Sequence, residues 1–214
     1  SVSITAGTGT CSITATMAGN GNYLTVDSAM FAITVSRAAQ SALTVTSTSV
    51  TYGQTLVLTN SGGSGTGAVT WEVSSGTCTS DGSTLTPGDA GSVCQVRVSK
   101  AQDGNFLAAQ SSITTVNIAR ASQAVLTVTS TSVTYGQTLA LTTSGGTGTG
   151  AVTWVVVPST GSTCTIAGST LTPGDAGSTC VVRATKTQDT NYLVRQSANT
   201  TLTVDKAAQT GFSI

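Results

Sequence analysis

Histidine is absent from the 214 residues, and charge is scarce: eight basic and eight acidic side chains, 7% of the chain, against about 25% in an ordinary soluble domain. Without histidine, the commonest general base and the commonest metal ligand are missing. With a net charge of zero, no field draws the chain toward nucleic acid or an anionic membrane surface. Good helix formers are few; Glu72 is the single glutamate. No stretch approaches the ~20 continuous apolar residues of a membrane helix. No signal peptide is visible and the first residue is not Met, so the chain reads as an excised or mature piece. Paired carboxylates, a phosphate loop and a nucleophile elbow are lacking too. The glycine-rich Ser61–Gly67, SGGSGTG, follows a strand but opens no helix, which removes a dinucleotide fingerprint. The expectation is a protein without catalysis and without a cofactor.

What is present is repetition. Residues 43–56, LTVTSTSVTYGQTL, recur letter for letter at 126–139, a shift of 83 residues (126 − 43). STLTPGDAGS at 83–92 recurs at 169–178, a shift of 86 (169 − 83). The three extra residues belong to Pro158–Ser162, a Pro/Gly/Ser turn where insertion is cheap. Solenoid units run about 20–50 residues, so this period suits a self-contained small domain. A third block marks the joints: Ser36–Gln40, Ala119–Gln123 and Asp205–Gln209. It holds neither Gly nor Pro and reads as a stiff connection. The expected organisation is a C-terminal part of a module at 1–36, whole modules at 37–119 and 120–206, and the first strand of another at 207–214.

Within a module the apolar period is two, as strands require. Val69, Trp71 and Val73 share one face; Cys94, Val96 and Val98 share another, repeated by Cys180, Val182 and Ala184. One buried and one wet face is the antiparallel pattern. Turn signals separate about seven short strands, near 43–47, 55–59, 68–74, 76–79, 83–86, 93–100 and 111–118. Thr86–Asp89 has Pro and Gly where a type II turn wants them. The expectation is all-β: tandem antiparallel β-sandwiches. Trp71 and Trp154 alternate with valines and are expected as core anchors rather than a sugar platform.

Each whole module carries two cysteines 16 apart, Cys78 with Cys94 and Cys164 with Cys180. The spacing is not CxxC and no histidine completes a zinc set, so no metal is expected. A disulfide in each module is the better reading, because closing such a loop is worth about 3 kcal/mol and a domain this small has little core. That places the chain in an oxidising, extracellular setting. Cys11 aligns with the second cysteine of a pair and is expected to be unpaired within this chain, its partner lying upstream of residue 1.

Other residues have a sharp and a bland reading. Asp103/Asn105 and Asp189/Asn191, with Asn20/Asn22 in the partial module, cluster oxygens as Ca²⁺ would want, but such residues also stabilise turns. Lys100 and Lys186, or Gln54 and Gln137, are formal candidates for internal cross-links; the acid that would assist is Glu72, on a wet face and replaced by Val155 in the next module. Asn199-Thr-Thr201 is a formal glycosylation sequon. Arg97 and Arg183 read as solvated strand residues.

Thr51–Gln54, Gly76–Cys78, Ser83–Ser92, Val96-Arg97 and Asp103–Phe106, with their second copies, resemble the bacterial Ig-like tandem repeats of large surface and adhesin proteins. The Tyr-Gly element is similar to YGx-type surface repeats. The resemblance implies Ig-like modules acting as stalk or spacer. It departs from antibody domains, where Trp lies between the bridged cysteines; here Trp71 precedes Cys78, so the strand order stays open. The leading expectation is a structural segment of an extracellular adhesin arm, whose partners are neighbouring modules. The alternatives are a subunit of an extracellular filament or lattice made of copies of this chain, and a glycan- or ice-binding module using outward threonines.

Overall fold

A computed structural model describes residues 1–159 and 162–211, and all of its regular structure is strand. Thr160 and Gly161 of the expected Pro158–Ser162 turn, and Phe212–Ile214 of the expected closing strand, lie outside the described residues. The chain divides into two compact units: Ser1–Val50 with Gln54–Gly88 and Ser92–Asn117, and Ile118–Ile214 with Thr51–Gly53 and Asp89–Gly91.

Residues 1–36 form β1 (Gly9–Ile13), β2 (Thr16–Met17), β3 (Val26–Asp27) and β4 (Phe31–Val35); β1 pairs with β4 and β2 with β3. The first whole repeat supplies β5 (Thr44–Val45), β6 (Ser49–Thr51), β7 (Leu56–Val57), β8 (Asn60–Ser61), β9 (Val69–Gly76), β10 (Thr79–Asp81), β11 (Thr84–Thr86), β12 (Val93–Lys100), β13 (Ala109–Gln110) and β14 (Thr114–Ala119). The second supplies their counterparts β15 (Leu126–Val128), β16 (Ser132–Thr134), β17 (Leu139–Ala140), β18 (Thr143–Gly145), β19 (Val152–Val156), β20 (Thr165–Ala167), β21 (Thr170–Thr172), β22 (Thr179–Lys186), β23 (Arg195–Gln196) and β24 (Thr200–Asp205).

The two repeats share one topology. β12 is the centre of a five-stranded sheet, with β9 on one edge and β13 and β14 on the other, and β6 beyond β14. β22 holds the same place among β19, β23, β24 and β16. Smaller sheets, β10-β11-β7 with β5-β8 and β20-β21-β17 with β15-β18, complete each repeat. The alternation read from sequence explains the centre: Cys94, Val96 and Val98, and Cys180, Val182 and Ala184, are fully buried. In the second unit they meet Leu126, Val128, Leu141, Leu171 and Leu202 in one apolar cluster.

Three expectations need correction. Each repeat has ten strands among the described residues rather than about seven. In the first repeat the additional strands β6, β8 and β13 lie outside the expected ranges, and buried serines sit between neighbouring strands. Ser47 Oγ accepts the N–H of Thr59 at 2.8 Å and Ser130 Oγ that of Thr142 at 2.9 Å. Ser111 Oγ accepts from Val98 at 3.1 Å and Ser197 Oγ from Ala184 at 3.0 Å. In each case a serine side chain between two strands takes up a backbone N–H.

The sheets are not wholly antiparallel, since β16 runs parallel to β24, with Ser132 opposite Thr203. Thr86–Asp89 is not a type II turn: positive φ falls on Gly91 (78°), not on Gly88. Gly88 and Gly174 are small for another reason, because a Cβ there would overlap Thr77 or Thr163. Trp71 and Trp154 are half-buried on β9 and β19, which pair with β12 and β22, and Trp154 packs against the apolar cluster of its repeat.

Candidate functional site: the clamped Asp-x-Asn loop

The loops after β12 and β22 gather the most polar contacts, and they do so twice. In the first unit, Asp103 Oδ1 accepts the N–H groups of Asn105 and Phe106, both at 2.8 Å. Its Oδ2 accepts from Thr66 N at 2.5 Å and Thr66 Oγ1 at 3.2 Å. In the second unit, Asp189 Oδ1 accepts from Asn191 at 2.9 Å and Tyr192 at 2.8 Å, and Oδ2 accepts from Thr149 N at 2.5 Å and Thr149 Oγ1 at 3.2 Å. Gly65 and Gly148 permit this approach, because a Cβ at either would overlap the carboxylate.

These donors favour the ionised acid. For Asp103 the N–H of Asn105 contributes most, then those of Thr66 and Phe106, and the pKa falls to about 2. For Asp189 desolvation is the largest influence and pushes upward; the N–H groups of Thr149, Tyr192 and Asn191 together outweigh it, and the pKa again falls to about 2. All four oxygens accept from the chain's own N–H and O–H groups, the contacts that the turn-stabilising reading expects.

The opening segment of each repeat clamps the same loop from outside. Ala38 N donates to Asn105 O, and Leu107 N to Ala38 O, each at 2.9 Å; Ala121 makes the same pair with Asn191 and Leu193. Arg37 Nε donates to Asp103 O at 2.7 Å and Arg120 Nε to Asp189 O at 3.0 Å. Gln40 Nε2 donates to Ala101 O and Leu107 O at 3.2 and 2.8 Å. Gln123 Nε2 donates to Thr187 O and Leu193 O at 3.1 and 2.8 Å. Reading the sequence misses Gln40, Gln123, Thr66 and Thr149. The signal was recurrence: Arg-Ala-Ala-Gln and Arg-Ala-Ser-Gln at 37–40 and 120–123 for the glutamines, and GTGAVTW at 65–71 and 148–154 for the threonines.

The loop's outer face grips a second turn within each unit. Asn105 Oδ1 accepts the N–H of Gly7 at 2.7 Å. Asn191 Oδ1 accepts that of Ala90 at 2.8 Å, and Asn191 Nδ2 donates to Asp89 Oδ1 at 3.0 Å. Gly7 and Ala90 each lie four residues before a cysteine, Cys11 and Cys94, so the grip recurs at equivalent positions. Tyr192 meets Tyr52 edge to face, with ring centroids 5.6 Å apart. Tyr52, Asp89, Thr149, Asp189 and Tyr192 line an open cleft of about 300 Å³. In the partial module, Asn20 Oδ1 accepts from Asn22 and Tyr23 as Asp103 does from Asn105 and Phe106.

The remaining candidates fall elsewhere. Disulfides join Cys78 to Cys94 and Cys164 to Cys180, each with Cα atoms 5.9 Å apart, and Cys11 is free and half-buried. Lys100 Nζ donates to Gly63 O at 3.2 Å, while Gln54 and Gln137 point to solvent. Asn199 is exposed. Arg97 is not simply solvated: it pairs with Glu72 at 2.6 Å, directly across β12 and β9. Its counterpart Arg183 lies opposite Val155.

The class that this architecture defines is an all-β protein of repeated units. No family model and no curated protein matches the chain. Among solved structures it is similar to the crystal structure of Drosophila N-cadherin EC1-4, at 10% identity and a TM-score of 0.31, over 92% of this chain. The chain spans 58% of the length of that one.

Proposed function

We propose that the chain is a load-bearing structural segment of an extracellular tandem-repeat protein, a stalk or spacer without catalytic activity. The observation that carries this reading is the twice-built loop: its polar groups hold backbone, and its asparagine takes an N–H from an equivalent turn in each unit. A recurring joint of this kind serves position rather than chemistry. The disulfides support an oxidising compartment, and the repeats resemble those of bacterial surface and adhesin proteins. Force spectroscopy tests the proposal. Each whole repeat should unfold in its own event, and reduction should lengthen each event by about 5 nm, the reach of the locked 16-residue segment at ~3.6 Å per residue. Extension at near-zero force, with no discrete events, would refute a mechanical role.

A filament or lattice subunit is the second reading, favoured by the apolar side chains that residues 1–36 expose, Met17, Tyr23, Leu24 and Phe31 among them. Light scattering separates the two: concentration-dependent growth belongs to a lattice, a constant monomer mass to a spacer. A glycan-array hit or thermal hysteresis would instead point to a binding module.

A further inference from the structure

Residues 1–36 repeat the back half of a module in register. Cys11 pairs with Ile33 across β1 and β4 as Cys94 pairs with Val116 across β12 and β14, both shifted by 83 residues (94 − 11 and 116 − 33). The same shift carries Ile13 onto Val96, Ala15 onto Val98 and Val35 onto Ile118. In the whole repeat these positions are closed: Cys94, Val96, Val98 and Val116 are 0% exposed. In residues 1–36 they are open: Ile13 is 40% exposed, Ala15 is exposed, and Cys11, Ile33 and Val35 are half-buried. Not every exposed apolar residue counts toward this. Leu24 and Met30 correspond to Leu107 and Ile113, which are exposed in the whole repeat as well.

The whole repeats show what closes such a face. Leu43, Val45 and Leu58 are buried in the first repeat, and all come from its front half. β5 lies against β12, as β15 does against β22. The front half also brings the cysteine that bonds to the central strand, 16 residues earlier in the chain.

We propose that the face of β1 and β4 is a docking surface for the front half of a repeat of this same kind, equivalent to residues 37–83. In both whole repeats that half is bonded to the central strand through a cysteine, and Cys11 is the matching cysteine here. Forming that bond takes two protons and two electrons from two thiols; a disulfide oxidant such as oxidised glutathione accepts them and leaves as two thiols. One residue marks the fit as imperfect for an exact copy. Asn20 stands where Asp103 and Asp189 stand (103 − 20 = 83), so an amide replaces the oxygen that accepts the N–H of Thr66.

The test extends the present chain by placing a copy of residues 37–83 directly ahead of Ser1, which restores the 16-residue cysteine spacing. Both chains are refolded in a reduced and oxidised glutathione mixture. In the parent chain Cys11 should react with iodoacetamide, and a dye specific for exposed apolar surface should bind. In the extended chain Cys11 should be protected, the mass should show three disulfides, and peptide mapping should join Cys11 to the grafted cysteine. Dye fluorescence should fall several-fold. Asn20→Asp should raise the melting temperature of the extended chain and leave that of the parent unchanged. A soluble extended chain, with or without Asn20→Asp, whose Cys11 still reacts and whose dye signal persists would overturn the proposal. So would a parent chain that closes the face by dimerising through Cys11, which would make a second copy the occupant.

Discussion

Asp103 and Asp189 show how a few oxygen atoms set the pH range of the fold. Their pKa values of about 2 lie below the 3.8 of a free aspartate. A group depressed on folding adds stability above its unfolded pKa, and this is lost as pH falls toward the folded value. Thermal stability should therefore drop between roughly pH 4 and 2. Asp189→Asn should lower the melting temperature at pH 7 and flatten that drop, which a series of melting curves will show; an unchanged pH profile would contradict the assignment. Gln123 is 4% exposed and bonds two carbonyls. Gln123→Ala should cost about 1–3 kcal/mol by urea denaturation, while Gln137→Ala, at an exposed position, should stay within about 0.5 kcal/mol. The asparagines and aspartates were legible as an oxygen cluster because they lie two residues apart. Gln123 recurs with Gln40, but what it bonds was not legible, because its partner Leu193 is 70 residues away.

At the scale of the element, the central strands β12 and β22 are what sequence reads best. Both faces follow from alternation alone, since each sits between two neighbours and one side must be dry. The edges were less legible. Trp71 and Trp154 have the alternation of core residues, and they sit half-buried on the edge strands β9 and β19. The outward threonines in and just after β5 are also less free than their pattern implies: Thr44 Oγ1 meets Ser61 Oγ at 2.6 Å and Thr46 Oγ1 meets Thr59 Oγ1 at 2.7 Å. Removing core and edge should therefore differ in kind. Leu171→Ala, at a 0% exposed position, should cost about 2–5 kcal/mol. Ser197→Ala should cost about 1–3 kcal/mol by leaving the N–H of Ala184 unpaired. Equilibrium denaturation with hydrogen exchange at Ala184 measures both; protection of that amide unchanged by Ser197→Ala would contradict the role given to the serine.

For the whole molecule, stability rests on small repeated units that a disulfide closes. Cys164→Ser should destabilise the chain by about 3 kcal/mol, the chain-entropy value for a loop of this size. Calorimetry of the variant beside the parent is the check, and an unchanged thermogram would mean that the bridge adds nothing to the folded state. Glu72→Ala, by comparison, removes a partly exposed ion pair worth about 0–1 kcal/mol.

Sequence by itself determined the repeat period, the all-β class, the central strands and the cysteine pairs. These depend on local period and on spacing, which survive in one dimension. Tertiary structure alone decided the strand order, the parallel pairing of β16 with β24, and the clamp that Arg37, Gln40, Arg120 and Gln123 place on the Asp-x-Asn loop. The physical reason is common to all of these. Each is a hydrogen bond or a covered surface whose partner lies tens of residues away, and its identity is set only when folding brings the two together.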